Sequence, residues 1–331
     1  MFITAPPMLV LRDLQTPMPC SDQIWGASLE QWHENMTSAE DHITPLSQRG
    51  MSVCEALASA ITLHKVPGDL SEAAEIGLLL SAFSQHSQFL DLAQALRTSQ
   101  HVSPYDDLTA SLQTCLGKII QHALEGSFVM EQERLGLLED YAVMARLTAI
   151  LSFVPQKLLL QFGYWQTSSA GPQEARQQLR QMMHDHAQRA RECAYHAAQL
   201  FAHFRKRTRL SHIDPFCLLV ATVFLWAYIE LFVQNPNIET SSSECSVGKL
   251  VRLDLDLDSI QRSRWIDSGI DQRPHITGVG AFDTARSHVR LLKEASRIIG
   301  IGPPRSKLAA GISRMFHIQA LGHLPVTETD G

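Results

Sequence analysis

The stretch FCLLVATVFLWAYIELFV, Phe216 to Val233, constrains this chain more than any other part of it: eighteen residues interrupted only by Thr222 and Glu230. A helix that is apolar all round belongs in the middle of a large core or in a bilayer. A bilayer span needs about twenty apolar residues, and a glutamate near one end is costly in lipid. The segment is therefore read as a buried core helix, with Asp214 as its N-cap and Pro215 at its first helical position. Burying it requires other helices around it, and Glu230 must then meet a polar partner or reach the surface, because an unpaired buried carboxylate destabilises a fold.

The rest of the chain can supply that surround. Its 331 residues are 45% hydrophobic and 19% charged, a globular composition long enough for a sizeable core. Helical periodicity runs through SEAAEIGLLLSAF from a Ser71 cap. It continues through DDLTASLQTCLGKIIQHALEG to a stop at Gly126, with Asp106 and Asp107 at the start, and through EQERLGLLEDYAVMARLTAILSFVP to Pro155. The longest helix is expected from Glu174 to about Arg207. There Leu179, Met182, Met183, Ala190, Cys193, Ala194, Ala197, Leu200, Phe201 and Phe204 share one arc. A further helix spans about Thr284 to Ile299. Only VRLDLDLDSI alternates with the period of a strand. The expectation is an all-α fold, a multi-helix bundle-like array with long loops and at most one short strand segment. Residues 1–166 form an N-terminal helical half with a tryptophan-containing entry segment, 167–173 (TSSAGPQ) a linker, and 174–331 a C-terminal helical half packed on the first in one continuous domain.

A net charge of -6 gives no general attraction to nucleic acid or to an anionic membrane. The six cysteines are scattered, with no close pair of the kind a zinc knuckle needs, and suit a reducing compartment, nucleus or cytosol. The opening MFITAPPMLVLRDL lacks the basic n-region of a signal peptide.

Chemistry-bearing candidates are few. His184, His186, His196 and His203 lie along the long helix, but His186 falls mid-arc and reads as a hydrogen-bonded core histidine, and Cys193 points into the apolar arc, so no metal site is assigned. DLDLD (Asp254, Asp256, Asp258) fails as a calcium loop, because Ser259 and Trp265 stand where a glycine and a bidentate acid are required. GVG (278–280) lacks a third glycine and a preceding long strand, so it is not a dinucleotide fingerprint. No serine-hydrolase elbow, phosphate loop or zinc-protease motif is present in the sequence. RKRTR (205–209) reads as the solvated cationic end of a helix. In PCSDQIWGASLEQW, Trp25 and Trp32 flank a capping box of Ser28 and Gln31, and read as anchors for the N-terminal segment.

That segment, as MPCSDQIWGASLEQW, resembles the middle of the fungal-specific transcription factor regulatory domain, the helical region that follows a zinc-cluster or zinc-finger DNA-binding module. RARECAYHAAQLFAHFR resembles its long helix. DPFCLLVATVFLWAYIE resembles the next one, with Trp226 and Tyr228 on its tryptophan-x-tyrosine positions. RWIDSGIDQRPHITGVG resembles its tryptophan and glycine segment through Trp265, Gly269, Gly278 and Gly280, and GPPRSKLAAGISRM its closing helix. The segments occur in the family's order and resemble its later, regulatory half. The resemblance implies a non-catalytic regulatory domain, nuclear, acting through intramolecular contacts, protein partners, self-association or a small-molecule effector. DNA would be reached only through a module this sequence lacks, and that module is also the only place zinc would enter; no other cofactor and no membrane are expected. Trp25, Trp32, Trp226, Tyr228 and Trp265 are then structural or pocket-lining candidates. The alternative is an all-α enzyme of fungal secondary metabolism, cytoplasmic, with His186, His196 and Glu230 as acid–base groups in one pocket.

Overall fold

Helix follows helix through the residues described by the computed structural model, 52–62, 72–96, 105–129, 137–165, 170–211, 213–233, 249–269, 272–284, 286–301 and 306–322. In chain order they are α1 (Val53–Thr62), α2 (Glu72–Leu96), α3 (Tyr105–Val129), α4 (Leu137–Phe153), α5 (Gln156–Phe162), α6 (Gly171–Asp185), α7 (Ala187–Lys206), α8 (Asp214–Tyr228, continued by a π-turn at Ile229–Val233), β1 (Lys249–Arg252), α9 (Ser259–Asp267), β2 (Gln272–Ile276), β3 (Gly280–Ala281), α10 (Ser287–Ile299) and α11 (Lys307–Gly322). The fold is all-α. It divides into two compact units, Met1–Thr148 and Ala149–Gly331.

In the first unit, a reciprocal cap starts α1. The Ser52 N–H donates to Glu55 Oε2 at 2.8 Å, and the Glu55 N–H donates to Ser52 Oγ at 3.2 Å. These Ser52 bonds, the backbone one first, hold the Glu55 carboxyl below the usual carboxylate range. Leu78, Leu79 and Ala82 of α2 and Leu112, Cys115, Leu116 and Ile119 of α3 fill this unit's core. Glu75 meets the His122 ring at 3.2 Å. α3 does not stop at Gly126: it runs on to Val129, since a glycine only weakens a helix and does not terminate one.

In the second unit, Pro155 breaks the chain as its missing N–H requires, and α4 and α5 meet at 84°. The centre is α8. Cys217, Leu218, Ala221, Phe224, Leu225, Trp226 and Ala227 are wholly shielded from solvent, and α7, α5, α10 and α11 pack around it. By length and composition Asp214–Val233 could cross a membrane, but 78% of its most apolar window is buried by the protein's own helices. Ile213 takes the cap position, and Asp214 instead accepts the Ser211 N–H at 2.7 Å and faces Arg207 at 3.2 Å.

Two sequence expectations are corrected here. The long helix is not continuous: His186, with φ -126° and ψ 50°, separates α6 from α7. The apolar arc is still buried on both pieces, through Leu179 and Met183 on one and Ala190, Cys193, Ala194, Ala197, Leu200, Phe201 and Phe204 on the other. The single strand segment is instead a three-stranded sheet of order β1-β2-β3, with β1 and β2 parallel and β2 and β3 antiparallel. The predicted strand ends at Arg252 because Leu253 and Asp254 turn inward, and Gln199 Nε2 donates to the carbonyls of Leu253 and Leu255 at 2.8 and 2.7 Å, taking this backbone out of the strand ladder. Pro274 sits in the middle strand, and its carbonyl accepts the Phe282 N–H at 2.9 Å.

Gly269 closes α9 with φ +56°, and a Cβ there would stand 2.5 Å from Arg191 Cδ. Arg191 cannot give way freely, because its Nε donates to the Ile266 carbonyl at 2.6 Å and its Nη2 to that of Asp267 at 3.0 Å. Left-handed backbone costs a non-glycine residue roughly 1–2 kcal/mol. Gly269→Ala is therefore expected to cost about 2–3 kcal/mol in urea unfolding, strain and displaced arginine together; a midpoint equal to the parent's would contradict this account.

Candidate functional site

The C-terminal end of α8 gathers three of the six site residues that the sequence singles out and that lie among the described residues: Trp226, Tyr228 and Glu230. A π-turn adds one residue to the helical ring and rotates the side chains beyond it. Here it carries Glu230 out of the apolar surface of α8 toward α6. Glu230 Oε1 is ion-paired with Arg176 Nη1, and the Trp226 Nε1–H donates to Glu230 Oε2 at 2.8 Å. The Arg176 guanidinium lies 5.2 Å above the Phe162 ring, and that ring meets Trp226 at 4.7 Å and 61°. Tyr228 stacks on Phe232 at 5.1 Å, and His184 lies 5.3 Å from the same phenylalanine. Burial raises the Tyr228 phenol above its usual range. The expectation that Glu230 meets a polar partner is met, and its partners fix it in place: an arginine and an indole N–H leave the carboxylate committed to structure.

The acid–base set of the alternative reading is not assembled. His186 is exposed at the α6–α7 break, its ring edge-on to Phe153 at 6.5 Å, and is not the core histidine expected. His196 is buried ten residues further along, beside Tyr195 at 5.9 Å, and ten residues of helix span about 15 Å. Glu230 is held by Arg176. Trp265 is buried, and its Nε1–H donates to the Arg191 carbonyl at 3.3 Å. Trp25 and Trp32 lie outside the described residues. No group of three or more His, Cys, Asp or Glu side chains that could hold a metal ion occurs among the described residues.

A second polar centre went unnoticed in the sequence. The Asp254 side chain is 2% exposed. Its Oδ2 accepts the Thr277 N–H at 3.1 Å and faces Arg205 at 3.9 Å, while its Oδ1 faces Arg252 at 3.8 Å. Arg205 also donates to the Thr277 carbonyl, and Arg290 Nε to that of Val279. Gly278 and Gly280 take φ +83° and +95°, so the GVG turn exposes its carbonyls to two arginines with no side chain in their way. The signal was present in DLDLD, an acid alternating with leucines at the end of a strand, but only the partner turn explains it. Arg205 and Arg207 of the basic cluster are thus engaged internally, which leaves Lys206 and Arg209 as its exposed cations.

The buried Cys193 thiol is held in its protonated form. Burial pushes Cys193 up from 9.0 to about 12, and its Sγ–H points at the Ala149 carbonyl at 3.6 Å. The unfolded thiol ionises near pH 9, whereas the folded one keeps its proton. The stability difference is therefore fully present below pH 9 and is lost as pH climbs toward 12, at about 1.4 kcal/mol per pH unit. Tyr141 and Tyr228, raised by burial, act in the same sense. Urea midpoints should hold steady to about pH 9 and fall by about pH 10.5, less steeply in Cys193→Ala; a flat profile over that range would refute the burial argument.

Two open grooves mark the surface of the second unit. One, of about 470 Å³, runs between Tyr164–Trp165 and α11; the other, of about 410 Å³, follows the outer side of α9 beside Ile260 and Arg264.

No family model matches the chain and no solved structure matches it. A protein named "Transcription factor" from Gibberella fujikuroi is 24% identical over 289 residues, 86% of this chain. The chain spans about a third of that relative's length. By sequence it is a distant relative of a fungal transcription factor.

Proposed function

We propose that the chain is the non-catalytic regulatory region of a fungal transcription regulator. It works in the nucleus through intramolecular contacts, protein partners or a small effector, with DNA read by a separate module. The observation that carries this reading is the long similarity to the transcription factor, which covers most of this chain and about a third of the relative. The net charge of -6 and the internal use of Arg205 and Arg207 agree with it, since neither the overall charge nor these two arginines of the basic cluster are offered to phosphates. The polar centres at Glu230 and Asp254 are structural ties, as suits a scaffold that is read by partners.

The test joins the chain to a heterologous zinc-cluster DNA-binding module in a fungal reporter strain. Fusion is expected to change reporter output at least about fivefold relative to the module alone, a coupling of roughly 1 kcal/mol, and the purified chain to bind duplex DNA without sequence preference. Output equal to that of the module alone, or specific DNA binding by the chain at a dissociation constant near about 10⁻⁸ M, would overturn the proposal.

A further inference from the structure

The groove between Tyr164–Trp165 and α11 is a surface of a particular chemistry. Trp165 lies across Gly311, where an added Cβ would meet its ring at 3.3 Å, so the missing side chain is what lets the indole settle against the helix. Tyr164 has φ +60°, a left-handed backbone that a tyrosine adopts only at a cost, and the residue is 49% exposed. The chain thus holds an aromatic residue outward in a strained conformation.

α11 has two faces. Ala309, Ile312, Phe316 and Ala320 are buried in the core. On the opposite side, Lys307, Gly311, Arg314, Ile318 and Leu321 recur at helical spacing. Ile318 is 52% and Leu321 50% exposed. The helix carries Lys307, Arg314 and His317 and no carboxylate, and the residues lining the groove include Arg314 and no acid. Arg314 in the groove wall and Lys307 one turn before Gly311 on the same face make this apolar strip locally positive although the net charge of the chain is -6.

We propose that this groove is a docking site for an acidic amphipathic peptide segment of a protein partner. The apolar side chains of the segment would lie along Trp165, Met315 and Ile318, and its carboxylates would face Arg314 and Lys307. Charge complementarity selects this occupant. A cationic helix would be repelled by Arg314, and a two-fold contact with a second copy would bring the cations of two such faces together. The helix-in-groove mode needs anchors at helical spacing on the peptide, which the exposed stripe of α11 offers in complementary form.

The test uses the full chain and two synthetic fluorescein-labelled peptides of about sixteen residues, with leucine and phenylalanine at the same helical positions. One carries only Asp and Glu elsewhere, the other only Lys and Arg; anisotropy is read at low and moderate salt. The acidic peptide is expected to bind with a micromolar dissociation constant, at least about tenfold tighter than the basic one, and more weakly as salt rises. Ile318→Asp should weaken it at least about tenfold and Arg314→Gln roughly twofold to fivefold. Both residues are exposed or on the groove rim, so thermal melts should match the parent's; if Ile318→Asp fails to fold, Arg314→Gln and the peptide-charge comparison carry the test. Equal binding of the two peptides, no binding of the acidic one, or unchanged binding by Arg314→Gln would overturn the proposal. So would concentration-dependent self-association that Ile318→Asp abolishes, which would make a second copy the occupant. The measurement involves no transcription, so its failure and that of the reporter experiment are distinguishable.

Discussion

Trp226→Ala is expected to cost roughly 3–5 kcal/mol, the range for removing a fully buried aromatic together with the cavity it leaves, and to lower the unfolding midpoint by on the order of 10 °C. The indole is wholly buried at the C-terminal end of α8, edge-on to Phe162. Its N–H also satisfies Glu230 Oε2, so the deletion removes packing and leaves a carboxylate oxygen short of a donor. Trp226→Phe separates the two contributions. It keeps an aromatic ring against Phe162 and loses the N–H, and should cost only about 1–2 kcal/mol. A Trp226→Ala melt indistinguishable from the parent's would mean that α8 is not the centre of the second unit.

Asp254→Ala should follow, at roughly 1–3 kcal/mol, because it leaves a buried backbone donor without its acceptor and removes the carboxylate that two partly shielded arginines face. The Thr277 N–H would lose its acceptor, and the largely buried Arg205 its carboxylate. Asp254→Asn preserves the shape and an acceptor for Thr277 while losing the charge, so it should fall between parent and Ala. Urea unfolding of the three proteins orders them. If Asp254→Ala unfolds with Asp254→Asn and both match the parent, the GVG turn is held by its glycines and arginines alone.

Much of the fold was legible along the chain because it rests on local rules. The apolar run from Phe216 to Val233 required a buried α8, and Pro155 required a break after α4. Of the ten residues on the arc from Leu179 to Phe204, all but Met182 are buried, even though the arc was read on one helix instead of two. The α6–α7 break was not legible, since Met182–Met183–His184–Asp185–His186–Ala187 contains neither glycine nor proline. The chain turns there although local propensity would carry the helix on, and Arg189, which reaches Ser152 at 3.2 Å, ties the start of α7 to the end of α4. The capping box of Ser52 and Glu55 was legible in principle, as serine followed three residues later by glutamate.

The candidate site divides in the same way. Glu230 was identifiable as a problem, since a carboxylate in an apolar helix must find a partner; Arg176, 54 residues earlier, was not identifiable as the answer. Histidine spacing suggested a pocket, but a helix keeps residues ten apart about 15 Å from one another, so His186 and His196 could meet only if the chain folded back between them, and it does not. The sequence by itself determined the position of most of the long helices and which of their residues seek the interior, because backbone hydrogen bonding and hydrophobic periodicity act over a few neighbours; the short α1, α5 and α9 carry too few turns to show that period. Only the tertiary structure decided that Asp254 alone of DLDLD is buried, which arginine faces which acid, and which face of α11 is left to solvent, because charge pairing and burial depend on residues distant in sequence whose approach no local pattern records.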